Sequence, residues 1–403
     1  MIGIRHLHAF LAVATLGGIR RAAESLYRAP SAVARSVGTL EENLGVALFE
    51  RKGRGMLLTA SGELVRTRAE RIEAELQAVH DDATRAQGRN GRKPGNIDVL
   101  FNERRLQSMV LLAELHHMPG AAQSMGVSQP AVSQAIALLE DALGQPLFHR
   151  TAHGMVPGDA GRRWAQAFGR ALAELRHIPE DVAGLAGVVS GRVTIGALPL
   201  ARSQLLPMAI TSVLGRHPRL HVSSLESPYG ELMAGLLSGR VDFIVGALRN
   251  DPGSAFCSRA LFRDKAALVA RAGHPLTAKK QLRVADLQPY SWVLSRAGSP
   301  LREALTQLFD RHGAPPPQPA VETGDLALLR GLLLSSNMLT VLSAHQLHHE
   351  VATAQLAILP FDMPDMERSI GLITRKGAHL APGARAVLEE IDAISARWRP
   401  DER

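Results

Sequence analysis

AAQSMGVSQPAVSQAIALLEDALGQPLFHRTAHGM, residues 121–155, is the stretch on which the reading of the fold turns. Paired alanines lead through Val127-Ser128-Gln129-Pro130 into a run whose apolar residues Val132, Ile136 and Leu139 recur at helical spacing. Gly144 then offers the left-handed backbone that closes a helix. Leu147-Phe148-His149-Arg150, followed by His153 and Gly154, has the texture of a two-stranded wing. In a helix-turn-helix the second helix enters the major groove, and residues near its start reach base edges. Ser128 suits the cap of that helix and Pro130 its first turn, while small Ala131 permits close approach. Gln129, Ser133 and Gln134 present donors and acceptors to base edges or phosphates, and Arg150 is a candidate for phosphate contact.

A shift of 99 positions lays Arg5–Gly62 on Arg104–Gly161 without a gap, with 19 of 58 pairs identical. The module is therefore duplicated. In the first copy, Arg28, Ser31 and Arg35 surround the corresponding third helix, with Val33, Val37 and Leu40 facing inward. Arg51 and Arg54 occupy its wing and are further candidates for phosphate contact. Residues 1–93 hold 15 Lys or Arg against 10 Asp or Glu, whereas residues 94–189 hold 7 against 9. The first copy is thus the more cationic and favours salt-sensitive phosphate contact. Each copy is followed by an Ala-, Leu- and Arg-rich helical stretch, Leu64–Gln87 and Arg162–Leu185, and the first of these by the linker-like GRNGRKPGN of residues 88–96.

At 403 residues, with 46% hydrophobic and 21% charged side chains, the chain exceeds a single core and has the composition of a folded protein. It contains no uninterrupted apolar run of membrane length and no secretory signal pattern, which argues for a cytoplasmic protein that does not span a membrane. The single Cys257 can form no internal disulfide and supplies no metal set, so it reads as a buried inert thiol. From Ser190 onward short apolar or β-branched runs (193–196, 221–225, 241–245, 266–270, 291–294, 338–342 and 369–374) alternate with helical patterns, the signature of an α/β domain with largely parallel sheets.

The order Ala-Ala, Pro-Ala-Val-Ser, Leu-Glu, Leu-Gly, Leu-Phe, Arg, then a long helix and an α/β domain, closely resembles LysR-type transcriptional regulators. Gly191-Arg192-Val193-Thr194-Ile195-Gly196, Leu205-Leu206-Pro207, His217-Pro218, Gly239-Arg240-Val241-Asp242 and His274-Pro275-Leu276 continue the resemblance through the second half. It implies sequence-specific binding of double-stranded DNA, controlled by a small-molecule effector. The implied fold is multidomain: two α-rich winged helix-turn-helix domains (1–62 and 97–161), linker segments 63–96 and 162–187, and a two-lobed α/β periplasmic-binding-protein-like (type 2) effector domain at 188–403, with its second lobe at about 271–345. The linker helices are expected to join chains as a homodimer or homotetramer. Such regulators carry one winged unit; this chain has two. Its first copy reads Arg28-Ala29-Pro30-Ser31 where the usual pattern is Val-Ser-Gln-Pro, leaving open whether that copy reads DNA or only packs.

In an α/β domain, ligands bind beyond the carboxyl ends of strands, where helix N-termini present free N–H groups. Arg202 and Ser203, Ser295 and Ser299, Thr323, and Ser227 with Tyr229 from the other lobe stand at such places. An ordinary loop or cap is the alternative for each of them. No nucleophile elbow, phosphate-cradling loop or zinc helix is present, and the pairs His116-His117 and His348-His349 are adjacent rather than one turn apart, so no catalytic residue, cofactor or metal is expected. Met118, Met125 and Met155 read as core filler. The alternative to a regulator is a small-molecule-binding protein or enzyme whose front units serve as interaction modules.

Overall fold

The computed structural model describes residues 2–52, 55–90, 95–364 and 366–398. The first front unit comprises α1 (Ile4–Leu16), α2 (Ile19–Ser25), α3 (Pro30–Leu44), the hairpin β1 (Phe49–Lys52) and β2 (Gly55–Leu58), and the long α4 (Ala60–Asn90). The second repeats this order as α5 (Glu103–Leu115), α6 (Met118–Met125), α7 (Gln129–Leu143), β3 (Phe148–Thr151), β4 (Gly154–Pro157) and α8 (Asp159–Leu185). Both α3 and α7 carry proline in the first turn and end on glycines in left-handed backbone, Gly45 (φ 68°) and Gly144 (φ 71°). Ser128 stands at the cap position of α7, but its side chain makes no capping hydrogen bond and is left exposed.

Each wing is fastened to its third helix by a carboxylate. Glu41 Oε1 accepts from Leu48 N at 2.7 Å, and Glu140 Oε1 accepts from Leu147 N at 2.8 Å. The long helix then starts so close to the wing that a Cβ at Gly62 or Gly161 would lie 2.2 Å from the carbonyl oxygen of Leu48 or Leu147. Of GRNGRKPGN, residues 91–94 lie outside the described residues; Gly95 N donates to Ala142 O, which ties the connector to α7.

The two long helices pack against each other within the one chain. Arg68 meets Asp181, Arg71 meets Glu174, Glu75 meets Arg170 and Asp82 meets Trp164, so residue numbers rise along α4 as they fall along α8 and the pair is antiparallel. Between them lie buried Val65, Ala69, Ile72, Leu76, Val79 and Ala83 of α4 and Trp164, Phe168, Ala171, Leu175, Ile178 and Val182 of α8. The helix pairing expected between chains is thus made inside this one, and a single hydrophobic cluster runs from Ile4 to Val182 through both units. Fully buried Arg68 donates to Asp181, Glu174 and the backbone oxygen of His379; its counterpart 99 residues on is Ala167.

In the second half follow β5 (Gly191–Ala197), α9 (Pro199–Ser203), α10 (Leu205–Arg216), β6 (Leu220–Leu225), α11 (Tyr229–Leu237), β7 (Phe243–Ala247), β8 (Phe256–Arg271), α12 (Val284–Leu287), β9 (Trp292–Leu294), α13 (Pro300–Arg311), β10 (Pro319–Glu322), α14 (Leu326–Ser335), β11 (Thr340–Ser343), α15 (His348–Ala352), β12 (Leu356–Ile358), β13 (Glu367–Arg375) and α16 (Pro382–Ser395). The main sheet is mixed rather than largely parallel. Strand β5 pairs parallel with β6 and β7, but β13 runs antiparallel to both β7 and β8. Sixteen-residue β8 pairs β13 along its first part, then β11 and β12, and so passes from one lobe into the other. The core of the second lobe reaches from Ala266 to Met366, wider than the expected 271–345, because β8 enters it early and the chain leaves it only at β13. Cys257 lies exposed on β8 rather than buried.

Helix α8 is also bolted to the first lobe. Its Glu180 accepts from Arg192 N at 3.0 Å and its His177 Nε2 lies 3.5 Å from Asp242 Oδ1, which in turn accepts from Thr194 N within the lobe, while Arg71 of α4 donates to Gly377 O at 2.6 Å. Burial, helped by the charges of Asp242 and Asp181, pushes the Glu180 carboxyl up to about 7 from its ordinary 4.5. The folded state therefore keeps a proton that the unfolded chain releases near pH 4.5, and this group's contribution to stability falls as pH rises from 4.5 through about 7. Urea unfolding at pH 5 and pH 8 should show Glu180→Gln gaining on the parent only at the higher pH. Gly161→Ala should cost about 1–3 kcal/mol in the same assay, since backbone rather than a flexible side chain must move.

Candidate DNA interface and effector cavity

In the second unit, Ser128, Gln129, Pro130, Ser133 and Gln134 all lie exposed at the start of α7, and Arg150 is exposed on β3. The face they form is polar because Val132, Ile136 and Leu139 take the buried side of the same helix. In the first unit Ser31 and Arg35 are exposed on α3 and Arg28 is half-buried in the turn before it. Arg51 falls on β1 with its side chain outside the described residues, and Arg54 lies outside them altogether.

Comparison of the copies brings out a residue that pattern matching missed. Tyr27 is 97% exposed in the turn leading to α3 and holds left-handed backbone (φ 51°), where the second copy has Gly126 (φ 63°). Such backbone costs a bulky side chain ~1–2 kcal/mol. The signal in the sequence was a tyrosine aligned with a helix-closing glycine.

The histidine pairs have structural places. His116 closes α5 and accepts from Met155 N at 2.9 Å, His117 Nδ1 caps α6 through Gly120 N, and His348 and His349 are exposed. Met118, Met125 and Met155 pack against the core.

A cavity of about 550 Å³ opens between the lobes. Arg202, Ser227 and Tyr229 border it from the first lobe, and Ser295, Ser299 and Thr323 from the second. Ser203 is not among the lining residues: its hydroxyl donates to Leu200 O at 3.0 Å within α9. Three of the second-lobe groups are already engaged, since Ser295 Oγ and Ser299 Oγ share a hydrogen bond of 2.8 Å and Thr323 Oγ1 accepts from Asp325 N. Helices α11, α13 and α14 all begin at this cavity; Ser299 caps α13 and Asp325 caps α14, while α11 has no side-chain cap.

Three arginines complete the lining that the sequence reading did not single out: Arg249, Arg296 and Arg368. Arg249 stacks over the Tyr229 ring at 3.9 Å, just past the carboxyl end of β7, where the strand-end rule would have found it. Arg368 arrives on β13, the antiparallel return strand, and so had no place in a parallel scheme. With Arg202 the cavity has four arginines against Glu226 and Asp325. Two buried polar atoms point to something further. Tyr229 Oη has no hydrogen-bond partner, nor has Arg368 Nη2, although Arg368 Nε is held by Asp264 at 2.9 Å. Burial pushes the Tyr229 phenol up against the opposing pull of Arg249, so the hydroxyl stays a donor.

The model of the bacterial regulatory helix-turn-helix protein, lysR family, matches the chain twice, at residues 4–63 and 104–162, and that of the LysR substrate binding domain matches residues 186–394. The chain belongs to the LysR family of transcriptional regulators. It is 42% identical over 392 residues to the HTH-type transcriptional regulator GalR of Pseudomonas putida, spanning 97% of both chains. Identity to the DNA-binding transcriptional dual regulator OxyR of Escherichia coli K12 is 30% over 73% of this chain and 95% of that one. Full-length OxyR from Pseudomonas aeruginosa, in a variant form, shares the fold with a TM-score of 0.57 at 24% identity, covering 75% of this chain and 98% of its own. CbnR does so with a TM-score of 0.52 at 20% identity, covering 74% and 100%. The protein is accordingly a DNA-binding transcription regulator with a C-terminal effector-binding domain. No described helix is long and apolar enough to cross a membrane.

Tyr229→Phe should stabilise the free protein by about 1 kcal/mol, because it removes a buried hydroxyl that has no partner. Thermal unfolding in the absence of added ligand checks this.

Proposed function

We propose that the second unit, through Ser128, Gln129, Pro130, Ser133, Gln134 and Arg150, reads base edges at the operator, that Arg28, Ser31, Arg35, Arg51 and Arg54 of the first contact the same duplex, and that the cavity takes a small carboxylate. The protein acts on DNA in the cytoplasm. The exposed polar start of α7 supports the first assignment, since amide side chains there can make paired hydrogen bonds to a base edge.

The observation that carries the effector class is the charge of the lining, four arginines against two acids, with Tyr229 and Arg368 each holding a buried polar atom that has no partner. A carboxylate pairs with such guanidinium groups through charge-assisted hydrogen bonds. Arg202, Ser227, Ser295, Ser299 and Thr323 set its orientation. Because the groups come from both lobes, a ligand that engages them all favours one lobe arrangement over others. The lobe it acts on is fixed to α8 by Glu180, which accepts from Arg192 N, and that link carries the change to the DNA-binding units.

Thermal shifts with benzoate and succinate, each against its amide, test the cavity. Carboxylates should raise the midpoint, amides should not, and Arg249→Ala should abolish the response. Equal shifts from amides would overturn the assignment. For the reader, Gln129→Ala with Ser133→Ala should weaken operator binding by roughly 10–100-fold in fluorescence anisotropy. Binding to random duplex should change by less than about threefold, because phosphate contacts carry it.

A further inference from the structure

The contacts between α4 and α8 are reciprocal. Under the 99-residue shift Arg71 becomes Arg170 and Glu75 becomes Glu174, so the ion pairs Arg71–Glu174 and Arg170–Glu75 are one contact made twice in opposite directions. The buried seam obeys the same rule, with Val65, Ala69, Ile72, Leu76, Val79 and Ala83 mapping onto Trp164, Phe168, Ala171, Leu175, Ile178 and Val182. Reciprocity of this kind is the mark of a two-fold, isologous interface. Here the two halves of that interface are covalently joined. The rotation that carries α4 onto α8 carries the first unit onto the second and therefore α3 onto α7. One continuous core, the Gly95 N to Ala142 O bond and the His8 ring lying 4.0 Å from that of Phe101 keep the units from moving as beads on a string.

We propose that one chain by itself reads a bipartite operator, with α7 on one half-site and α3 on the other, and that the two half-sites are unlike in sequence. This rests on the reading of the front units as DNA-binding. Two-fold-related helices match the dyad of a duplex, with half-sites a helical turn (about 34 Å) or a multiple of it apart. Their reading faces differ, however. Tyr27, Ser31 and Arg35 stand in the first copy where Gly126, Pro130 and Gln134 stand in the second. The exposed Tyr27 keeps a backbone conformation that its own side chain disfavours, at the threshold of α3, and gains no packing in return. Contact with DNA supplies the compensation. The operator is consequently directional, and a perfect palindrome built from either half is the poorer site.

Selection from random duplexes with the full-length protein tests the proposal, combined with native mass spectrometry of the selected complex. The expected consensus has two dissimilar halves at one chain per pair of half-sites, whatever the number of chains assembled. Gln129→Ala with Ser133→Ala flattens one half only; Tyr27→Gly with Arg35→Ala flattens the other only. All four residues are exposed, so folding is preserved, and a palindrome of the second copy's half binds at least about fivefold more weakly than the native site. A symmetric consensus, two chains per pair of half-sites, or no effect of the Tyr27 and Arg35 changes on either half would overturn it. Failure to select any site over bulk DNA would instead remove the underlying assignment of sequence-specific binding.

Discussion

The antiparallel seam between α4 and α8 is the constraint on which the rest depends. A long amphipathic helix cannot leave an apolar face in water, and each of these covers the other's. At one end of the seam, Arg68 has lost all contact with solvent, so Glu174, Asp181 and the His379 carbonyl must be in place for the pairing to close. His379 belongs to the turn before α16, so the DNA-binding half and the last segment of the sensing half meet at one buried guanidinium.

From that seam the sensing half inherits its orientation. Glu180 of α8 holds β5 by its backbone, and β5 is the strand from which the first lobe is built outward. The second lobe is reached along β8 and left along β13, two strands that remain hydrogen-bonded to each other as they cross. Arg368 sits on that crossing pair, tied to Asp264 on the partner strand, so a cationic group of the cavity is placed by the strands that join the lobes.

Much of this was legible in the sequence, and unevenly so. The repeat was visible because both copies must bury the same positions, Val33, Val37 and Leu40 or Val132, Ile136 and Leu139. Six of the seven residues picked for the cavity do line it, since loops after parallel strands converge in any α/β sheet, while Ser203 turns inward to Leu200. Arg368 and the mixed sheet were not legible, because strand direction depends on which distant partner a run finds and apolar runs read alike in either direction. The seam was predictable as pairing but not as pairing within the chain. Antiparallel partners in one chain and in two bury the same residues, and only the length of the connector separates the cases.

Joining the two halves of an interface also removes a chemical equilibrium. Separate subunits that must meet before they can grip DNA fall apart on dilution, and the fraction assembled depends on how many are present. Two units tethered and packed in one chain face each other at an effective concentration that dilution does not change. The pairing of α4 with α8 therefore persists at a few molecules per cell, whatever the abundance of the regulator.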